Sequence, residues 1–443
     1  MRWLYSAAMW LAQPLLKRKL QARALNEPGY GHAVQQRFGY YDFVPATAGQ
    51  GERNAASATA ARPAANAQHQ DQRFIWLHAV SLGETRAAAV LVAGLRARYP
   101  GMRLLLTHGT ATGWEQGTAL LQAGDVQVWQ PWDTLGAVQR FLAQFRPRIG
   151  LLMETEVWPN MVAACKAANI PLCLVNARMS QKSMQQAQRL AWLSRPAYRD
   201  LTAVWAQTED DAQRLRTLGA TVQAVTGNLK FDATPDATLL ARGSMWRAAS
   251  TQPVLMFTSS REGEEQMLIE ALRATPVPGV QWLIVPRHPQ RFDAVAALFQ
   301  AAGFSVSRRT SWQDAPPPAD VWLGDSLGEM ALYYGLADAA LLGGSFARLG
   351  GQNLIEAAAC ACPVLMGPYT FNFAQAAEMA LAAGAALRCL DLSDALHQGS
   401  LLLADAAALA RSRQAALQWS VAHQGATQRT LDALDSVGAL ARV

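Results

Sequence analysis

Phe74-Ile75-Trp76-Leu77-His78-Ala79-Val80-Ser81-Leu82-Gly83-Glu84 runs from an apolar stretch through small, polar residues into an amphipathic segment of helical length. The apolar stretch is too short for a buried helix and reads as a strand. The alternation recurs at 104–107, 149–153, 172–175 and 203–206. It restarts at 254–258, 282–285, 339–342 and 364–366. Strands alternating with helices imply parallel sheets covered by helices on both faces. A break near 233–250 separates two such runs. The expected fold class is therefore α/β, with two Rossmann-like domains at 26–235 and 250–425 facing a central cleft, and a helix over 1–25 ahead of them. Open sheets of this kind bind ligands at the carboxyl ends of their strands, beside helix N-termini.

Composition agrees with that architecture. The 443 residues are 51% hydrophobic and only 16% charged, which suits large buried sheets and excludes a disordered chain. A formal charge of +6 points to an acidic partner or surface without choosing one. Cys165, Cys173, Cys360, Cys362 and Cys389 have no C-x-x-C spacing, and no histidine or acid cluster completes a ligand set around Cys360-Ala-Cys362. Buried free thiols and no metal site are expected. Alanine, glycine, asparagine and glutamine dominate 45–73, which reads as a flexible surface loop without chemistry.

Residues 3–16 carry Trp3, Tyr5 and Trp10 among aliphatics, with Lys17, Arg18, Lys19 and Arg23 following. The stretch falls short of the roughly 20 apolar residues of a membrane span, and no small-residue cleavage site follows. Aromatics favour the headgroup zone and cations attract anionic lipid, so a helix lying in the inner leaflet is expected. The alternative is an amphipathic helix packed on its own domain.

Polar constellations follow the strands. Ser81 and Glu84 have the spacing of a capping box, and Glu84 reads either as that cap or as a general base. Thr107-His108-Gly109-Thr110-Ala111-Thr112-Gly113 offers hydroxyls and backbone amides at a strand-to-helix turn. In Met153-Glu154-Thr155-Glu156-Val157-Trp158-Pro159, Pro159 suits a first helical turn, where Glu156 favours the positive helix end. Glu154 ends an apolar strand, where a carboxylate is costly unless it faces something polar. Asn176-Ala177-Arg178 again sets polar groups after a strand, and Lys230 in 226–232 reads as a phosphate-meeting or merely solvated lysine.

In the second half, Ser259-Ser260-Arg261-Glu262-Gly263-Glu264-Glu265, Pro286-Arg287-His288, Asp325-Ser326-Leu327-Gly328-Glu329, Gly343-Gly344-Ser345 and Gly350-Gly351-Gln352-Asn353-Leu354-Ile355-Glu356 occupy successive strand ends. Glycines there admit phosphate close to the backbone. Arg287 presents a fork of donors, and Glu356 suits a ribose diol. Together they indicate a nucleotide. Neither G-x-G-x-x-G nor a P-loop is present, which argues against a dehydrogenase or P-loop kinase, and no D-x-D pair follows a strand.

In order and spacing, 78–84 (HAVSLGE), 153–160 (METEVWPN), 176–180 (NARMS), 226–232 (TGNLKFD), 285–292 (VPRHPQRF), 324–329 (GDSLGE), 343–353 (GGSFARLGGQN) and 366–373 (MGPYTFNF) resemble the Kdo (3-deoxy-D-manno-octulosonic acid) transferases. The resemblance runs from about Arg37 to about residue 425, outside 45–73. It implies a GT-B fold and an inverting transfer of Kdo from CMP-Kdo to a tetra-acylated lipid A precursor in lipopolysaccharide synthesis. It implies Glu84 as catalytic base, with Glu154 and Lys230 as transition-state stabilisers. For CMP it points to Pro286, Arg287, Leu327, Gly328, Glu329, Asn353, Leu354, Ile355 and Glu356. The implied partners are CMP-Kdo, the lipid A precursor and the cytoplasmic face of the inner membrane, with no nucleic acid and no cofactor beyond the donor.

Three positions depart from the family pattern. Gln352 stands where histidine is usual, Ser260-Arg261 replaces Thr-His, and Thr110-Ala111-Thr112 replaces Thr-Pro-Thr. Glutamine still donates a hydrogen bond but does not titrate near neutrality. Competing readings are a GT-B transferase with another donor or acceptor, and a non-catalytic membrane-associated nucleotide binder.

Overall fold

The computed structural model describes residues 2–41 and 73–440. Most of the 45–73 stretch, expected as a loop, lies outside them. The first sheet is built from β1 (Ile75–His78), β2 (Leu104–His108), β3 (Val126–Trp129), β4 (Ile149–Met153), β5 (Leu172–Ala177), β6 (Ala203–Ala206) and β7 (Val222–Val225). All pairs are parallel, in the order β3-β2-β1-β4-β5-β6-β7. The second is built from β8 (Val254–Ser260), β9 (Gln281–Pro286), β10 (Val306–Arg308), β11 (Val321–Leu323), β12 (Ala339–Leu342), β13 (Val364–Met366) and β14 (Ala386–Arg388). It too is parallel, ordered β10-β11-β9-β8-β12-β13-β14. The expected α/β class with two Rossmann-like sheets is the one found.

Side chains alternate along each strand between two buried faces. Phe74, Trp76, Leu105, Leu152 and Leu174 enter one core of the first unit. Ile75, Leu77, Leu104, Leu151 and Val175 enter the other. Gly150 in β4 makes room for Trp76: a Cβ there would come within 2.6 Å of the indole. The sequence reading missed β3, β7, β10, β11 and β14. Of these, β3, β7, β10 and β14 are edge strands, which need bury only part of their surface. Val222–Val225 alternates half-buried and exposed residues.

The described residues divide into two compact units. The second spans Ala233–Gln424, while the first holds the residues up to Asp232 and those from Gly425 onward. The helix Ala426–Ser436 therefore belongs to the first unit, where Leu431 and Leu434 pack in one core with Leu91 and Leu95. Asp232 fastens its start by accepting from the amides of Gly425 (2.7 Å), Ala426 (3.3 Å) and Thr427 (2.5 Å).

The first helix runs Arg2–Asn26 with Pro14 inside it. Ser6 donates to Asn160 at 3.0 Å, and Tyr5 hydrogen-bonds Asp133. Trp3, Trp10, Leu11 and Leu15 stay about two-thirds exposed (66–68%). Among the described residues no helix is long and apolar enough to cross a membrane.

Candidate active site

The strand order of the first sheet reverses at β1, which has β2 on one side and β4 on the other. Such a switch point opens a crevice at the carboxyl ends of the strands, and here two acids flank it. Glu84 follows β1, one turn into the helix Leu82–Arg98. The Ser81 hydroxyl accepts from the Glu84 amide at 3.4 Å. The Glu84 carboxylate accepts from the Val80 amide at 2.8 Å and from the Ser81 hydroxyl at 3.3 Å. The capping spacing is thus realised. Burial, and after it the negative charge of Glu154, nevertheless pushes the Glu84 carboxyl up to about 7, against the pull of the Val80 amide.

Glu154 follows β4 in the left-handed region (φ 56°) and is only 4% exposed. Two cations saturate it: Lys230 Nζ lies 2.7 Å from one carboxylate oxygen and Arg178 Nε 3.0 Å from the other. Asn176, at the end of β5 and also left-handed (φ 51°), receives the Leu229 amide on its side-chain oxygen at 3.0 Å, holding the Lys230 turn against the sheet. The arrangement gives the two acids different chemistry. Glu84 is poised to take a proton near neutrality, whereas Glu154 is committed to holding Lys230 and Arg178 in place. Glu156 accepts from the Trp158 indole at 2.9 Å, just ahead of the helix Pro159–Ala167.

The structure therefore gathers Glu84, Glu154 and Lys230 in one unit. Arg178 joins them although its sequence neighbourhood implies no role for it, because its partner Glu154 lies in another strand's loop. Its position just beyond a strand end was the available signal. Arg37, at the start of the family-like stretch, is structural: it donates to the carbonyls of His108 (3.3 Å) and Gly109 (2.9 Å) and lies 4.1 Å over Trp129.

In the second sheet, β8 is the strand at which the order reverses. The acids after it act as internal struts. Glu264 accepts from the amides of Gly344 (2.7 Å), Arg261 (2.9 Å), Phe346 (3.2 Å) and Ala347 (3.2 Å), fixing the glycine turn after β12. Gly344 is left-handed there (φ 73°). Glu265 is held by both terminal nitrogens of Arg291, at 2.8 and 2.9 Å, and by the Ser260 hydroxyl at 2.7 Å.

Pro286 ends β9, and Arg287 follows it, donating from Nε to the Gln352 side-chain oxygen at 3.2 Å. This brings the β9 end together with the Gly350–Gly351 turn. Leu327 is 72% exposed, and the space beside Gly328 (φ 80°) is open. Glu329 binds Arg309 at 2.7 Å and also the Ser326 hydroxyl. Ser326 and Glu329 repeat the Ser-x-x-Glu spacing of 81–84, yet no capping box forms there: Ser326 meets the Glu329 side chain, and the helix Met330–Leu336 has no side-chain cap. The Arg309 guanidinium lies 5.4 Å from the Trp246 ring and 5.9 Å from Trp312. Sequence reasoning missed Arg309, which sits in an otherwise unremarked turn.

Asn353 caps the helix Leu354–Ala359 by accepting from the Ile355 amide at 3.2 Å. Leu354 and Ile355 are each 1% exposed, so only their main chain is left to meet a ligand. Glu356 is half-buried. Among the described residues no group of His, Cys, Asp and Glu is placed to hold a metal ion, and all five cysteines are free and buried.

Comparison with known proteins places this geometry. A sequence family described as 3-deoxy-D-manno-octulosonic-acid transferase (kdotransferase) matches residues 32–233. The 3-deoxy-D-manno-octulosonic acid transferase of Bordetella pertussis is 52% identical over 375 residues, covering 82% of this chain and 86% of that protein. The transferase of the same name from Haemophilus influenzae is 29% identical over 442 residues, covering 98% of each. Among solved structures, a UDP-N-acetylglucosamine 2-epimerase superposes with a TM-score of 0.55 at 15% identity, over 82% of this chain and 96% of that one. A glycosyltransferase from Rickettsia africae gives 0.53 at 12% identity, over 83% and 98%. These two show a shared fold.

Proposed function

The chain belongs to the 3-deoxy-D-manno-octulosonic acid transferase family and is a glycosyltransferase; from that premise we infer that it transfers Kdo from CMP-Kdo to a sugar hydroxyl of a tetra-acylated lipid A precursor, inverting the anomeric configuration. The observation that carries the reading is Glu84, raised to about 7 beside the Lys230–Glu154–Arg178 cluster at a sheet switch point.

Glu84 accepts the proton of the acceptor hydroxyl as its oxygen attacks the anomeric carbon of Kdo. The new C–O bond forms on one face while the bond to the phosphate oxygen breaks on the other. CMP leaves with the bonding pair. One displacement on the opposite face inverts the centre. Lys230 and Arg178, fixed by Glu154, supply positive charge to the anionic groups of the donor, and preorganised charge of this kind needs no rearrangement during reaction. The second unit takes the nucleotide. Arg287 pairs with its phosphate, Glu329 and Glu356 accept from its polar hydrogens, and the main chain of 353–356 lines the base or ribose. No metal is assigned a part.

The exposed Trp3, Trp10, Leu11 and Leu15, with Lys17, Arg18 and Lys19 beside them, support seating the first helix on the cytoplasmic face of the inner membrane. The acyl chains of the acceptor are at home there. The test is a transfer assay in detergent with CMP-Kdo and a tetra-acylated lipid A precursor, followed by mass spectrometry. A product heavier by Kdo is expected from the parent protein. Glu84→Ala should lower turnover by roughly 10²–10⁴-fold while still binding CMP. Near-normal turnover of that variant rules out the base assignment, and a folded, CMP-binding parent that makes no product rules out this acceptor.

A further inference from the structure

A cavity of about 680 Å³ opens in the first unit beside the N-terminal helix. Trp10 and Lys17 on that helix, Phe38 and Tyr40 after it, and Thr134 and Arg140 at the start of the helix Leu135–Phe145 are among its walls. Among the described residues that line it are two cations and no carboxylate. The nearest acid in sequence, Asp133, is 2% exposed and accepts from the amides of Asn160 (2.9 Å) and Met161 (2.8 Å).

Arg140 is held in an unusual place. Its guanidinium lies 4.3 Å over the Tyr40 ring and donates to the Phe38 carbonyl at 2.5 Å. It also folds back along its own helix, so that a Cβ on Gly136 would lie 3.2 Å from Nη1. A cation turned toward the positive end of its own helix opposes the helix dipole. An anion in the cavity relieves both charges at once. Beside the opening, the same helix that supplies Lys17 exposes Trp10, Leu11 and Leu15. Over Arg2–Asn26 it carries Arg2, Lys17, Arg18, Lys19 and Arg23 and no acid. A cavity with two cations in its walls, roomy enough for a headgroup, thus adjoins an apolar ridge flanked by tryptophan, the order of layers met on entering a bilayer.

We propose that this cavity is a headgroup site for an anionic glycerophospholipid of the membrane surface, with Arg140 and Lys17 binding its phosphate and Trp10, Leu11 and Leu15 lying along its acyl chains. The proposal rests on the membrane seating proposed above and adds a residue, Arg140, that lies outside the membrane helix. A helix that merely partitions into lipid takes no notice of Arg140.

The full chain is sedimented with phosphatidylcholine vesicles containing or lacking 30% phosphatidylglycerol. Separately it is titrated calorimetrically with a soluble short-chain phosphatidylglycerol and with inorganic phosphate. Arg140→Gln, Lys17→Gln, Arg140→Lys and, as a control outside the cavity, Arg18→Gln are compared, each checked by thermal melting. Loss of one cation near an anionic surface costs about fivefold in binding, so the Lys17→Gln/Arg140→Gln pair should lose roughly 25-fold on anionic vesicles. Arg140→Lys should recover most of the loss, and Arg140→Gln should abolish binding of the short-chain lipid. Vesicle binding that Arg140→Gln leaves intact, while Arg18→Gln reduces it, overturns the site and leaves the membrane seating standing. Short-chain lipid binding that depends on Arg140, in a protein that ignores vesicles, supports the site and overturns the seating. Inorganic phosphate binding as tightly as the lipid overturns the lipid assignment.

Discussion

Replacing Glu84 with glutamine should stabilise the protein at alkaline pH while removing its activity. The Glu84 carboxyl is raised from 4.5 to about 7, chiefly by burial and then by Glu154. Between those values the folded chain holds a proton that the unfolded chain releases. The stability this group contributes is therefore complete below about pH 4.5 and is lost as pH rises through 7. At ~1.36 kcal/mol per pH unit, the interval from 4.5 to about 7 amounts to roughly 3 kcal/mol. Glutamine keeps an oxygen for the Val80 amide but has no charge to bury. After allowing about 1 kcal/mol for its weaker hydrogen bond, Glu84→Gln should be about 2 kcal/mol more stable than the parent at pH 8.5. It should be no more stable at pH 4.5. Urea titrations of both proteins at the two pH values measure this, and initial rates of the parent should rise with pH through about 7. A capping glutamate predicts the opposite sign, since a carboxylate in a first helical turn stabilises by about 0.3–1 kcal/mol when charged. If Glu84→Gln is destabilised at pH 8.5 relative to its effect at pH 4.5, the folded chain favours the charged carboxylate, its capping contacts outweigh burial, and the reasoning fails.

Two further outcomes follow from the ion pairs. Lys230→Met leaves Glu154 with Arg178 as its remaining ion-pair partner. Turnover should fall about 100-fold with CMP affinity unchanged, read by single-turnover kinetics and calorimetry; a matching loss of CMP affinity would instead make Lys230 a ground-state contact. Arg309→Leu frees Glu329 from the guanidinium held between Trp246 and Trp312. CMP should bind about tenfold more weakly, because a charge-assisted bond that orients the carboxylate is gone, and calorimetric titration with CMP reads the change.

The sheet centres were legible because parallel strands buried on both faces must be apolar at every position. Ile75–His78 and Ile149–Met153 are buried throughout. Edge strands escape that requirement, so Val126–Trp129 and Val222–Val225 are only partly buried and carry no continuous apolar run to mark them. Glu154 was visible because a carboxylate directly after an apolar run is costly unless it meets something polar, whereas Glu84, six residues beyond its strand, had the capping box as an equally good explanation. The partners were not visible. Glu154 meets Arg178 across β5, Glu329 meets Arg309 across a turn, and Glu264 ties residues 80 and more positions away. Long-range pairing of this kind leaves no periodic trace. The Glu264-Glu265 pair looked like ligand chemistry in the sequence, yet both carboxylates are consumed in holding main chain and Arg291.

The helix Ala426–Ser436 carries an implication for how the chain is made. It completes a core begun by Leu91 and Leu95, and Asp232 caps it, yet nearly 200 residues are synthesised between Asp232 and its partner Gly425. On the ribosome the first unit emerges early, with the Leu91 side of its sheet uncovered, and waits while the entire second unit is translated. The second unit, continuous in sequence, has no such delay. Fragments ending near residue 424 reproduce that waiting state at equilibrium. They should expose the apolar seat of Leu431 and Leu434, making the C-terminal segment a poor place to trim and the early nascent chain the stage most in need of a chaperone.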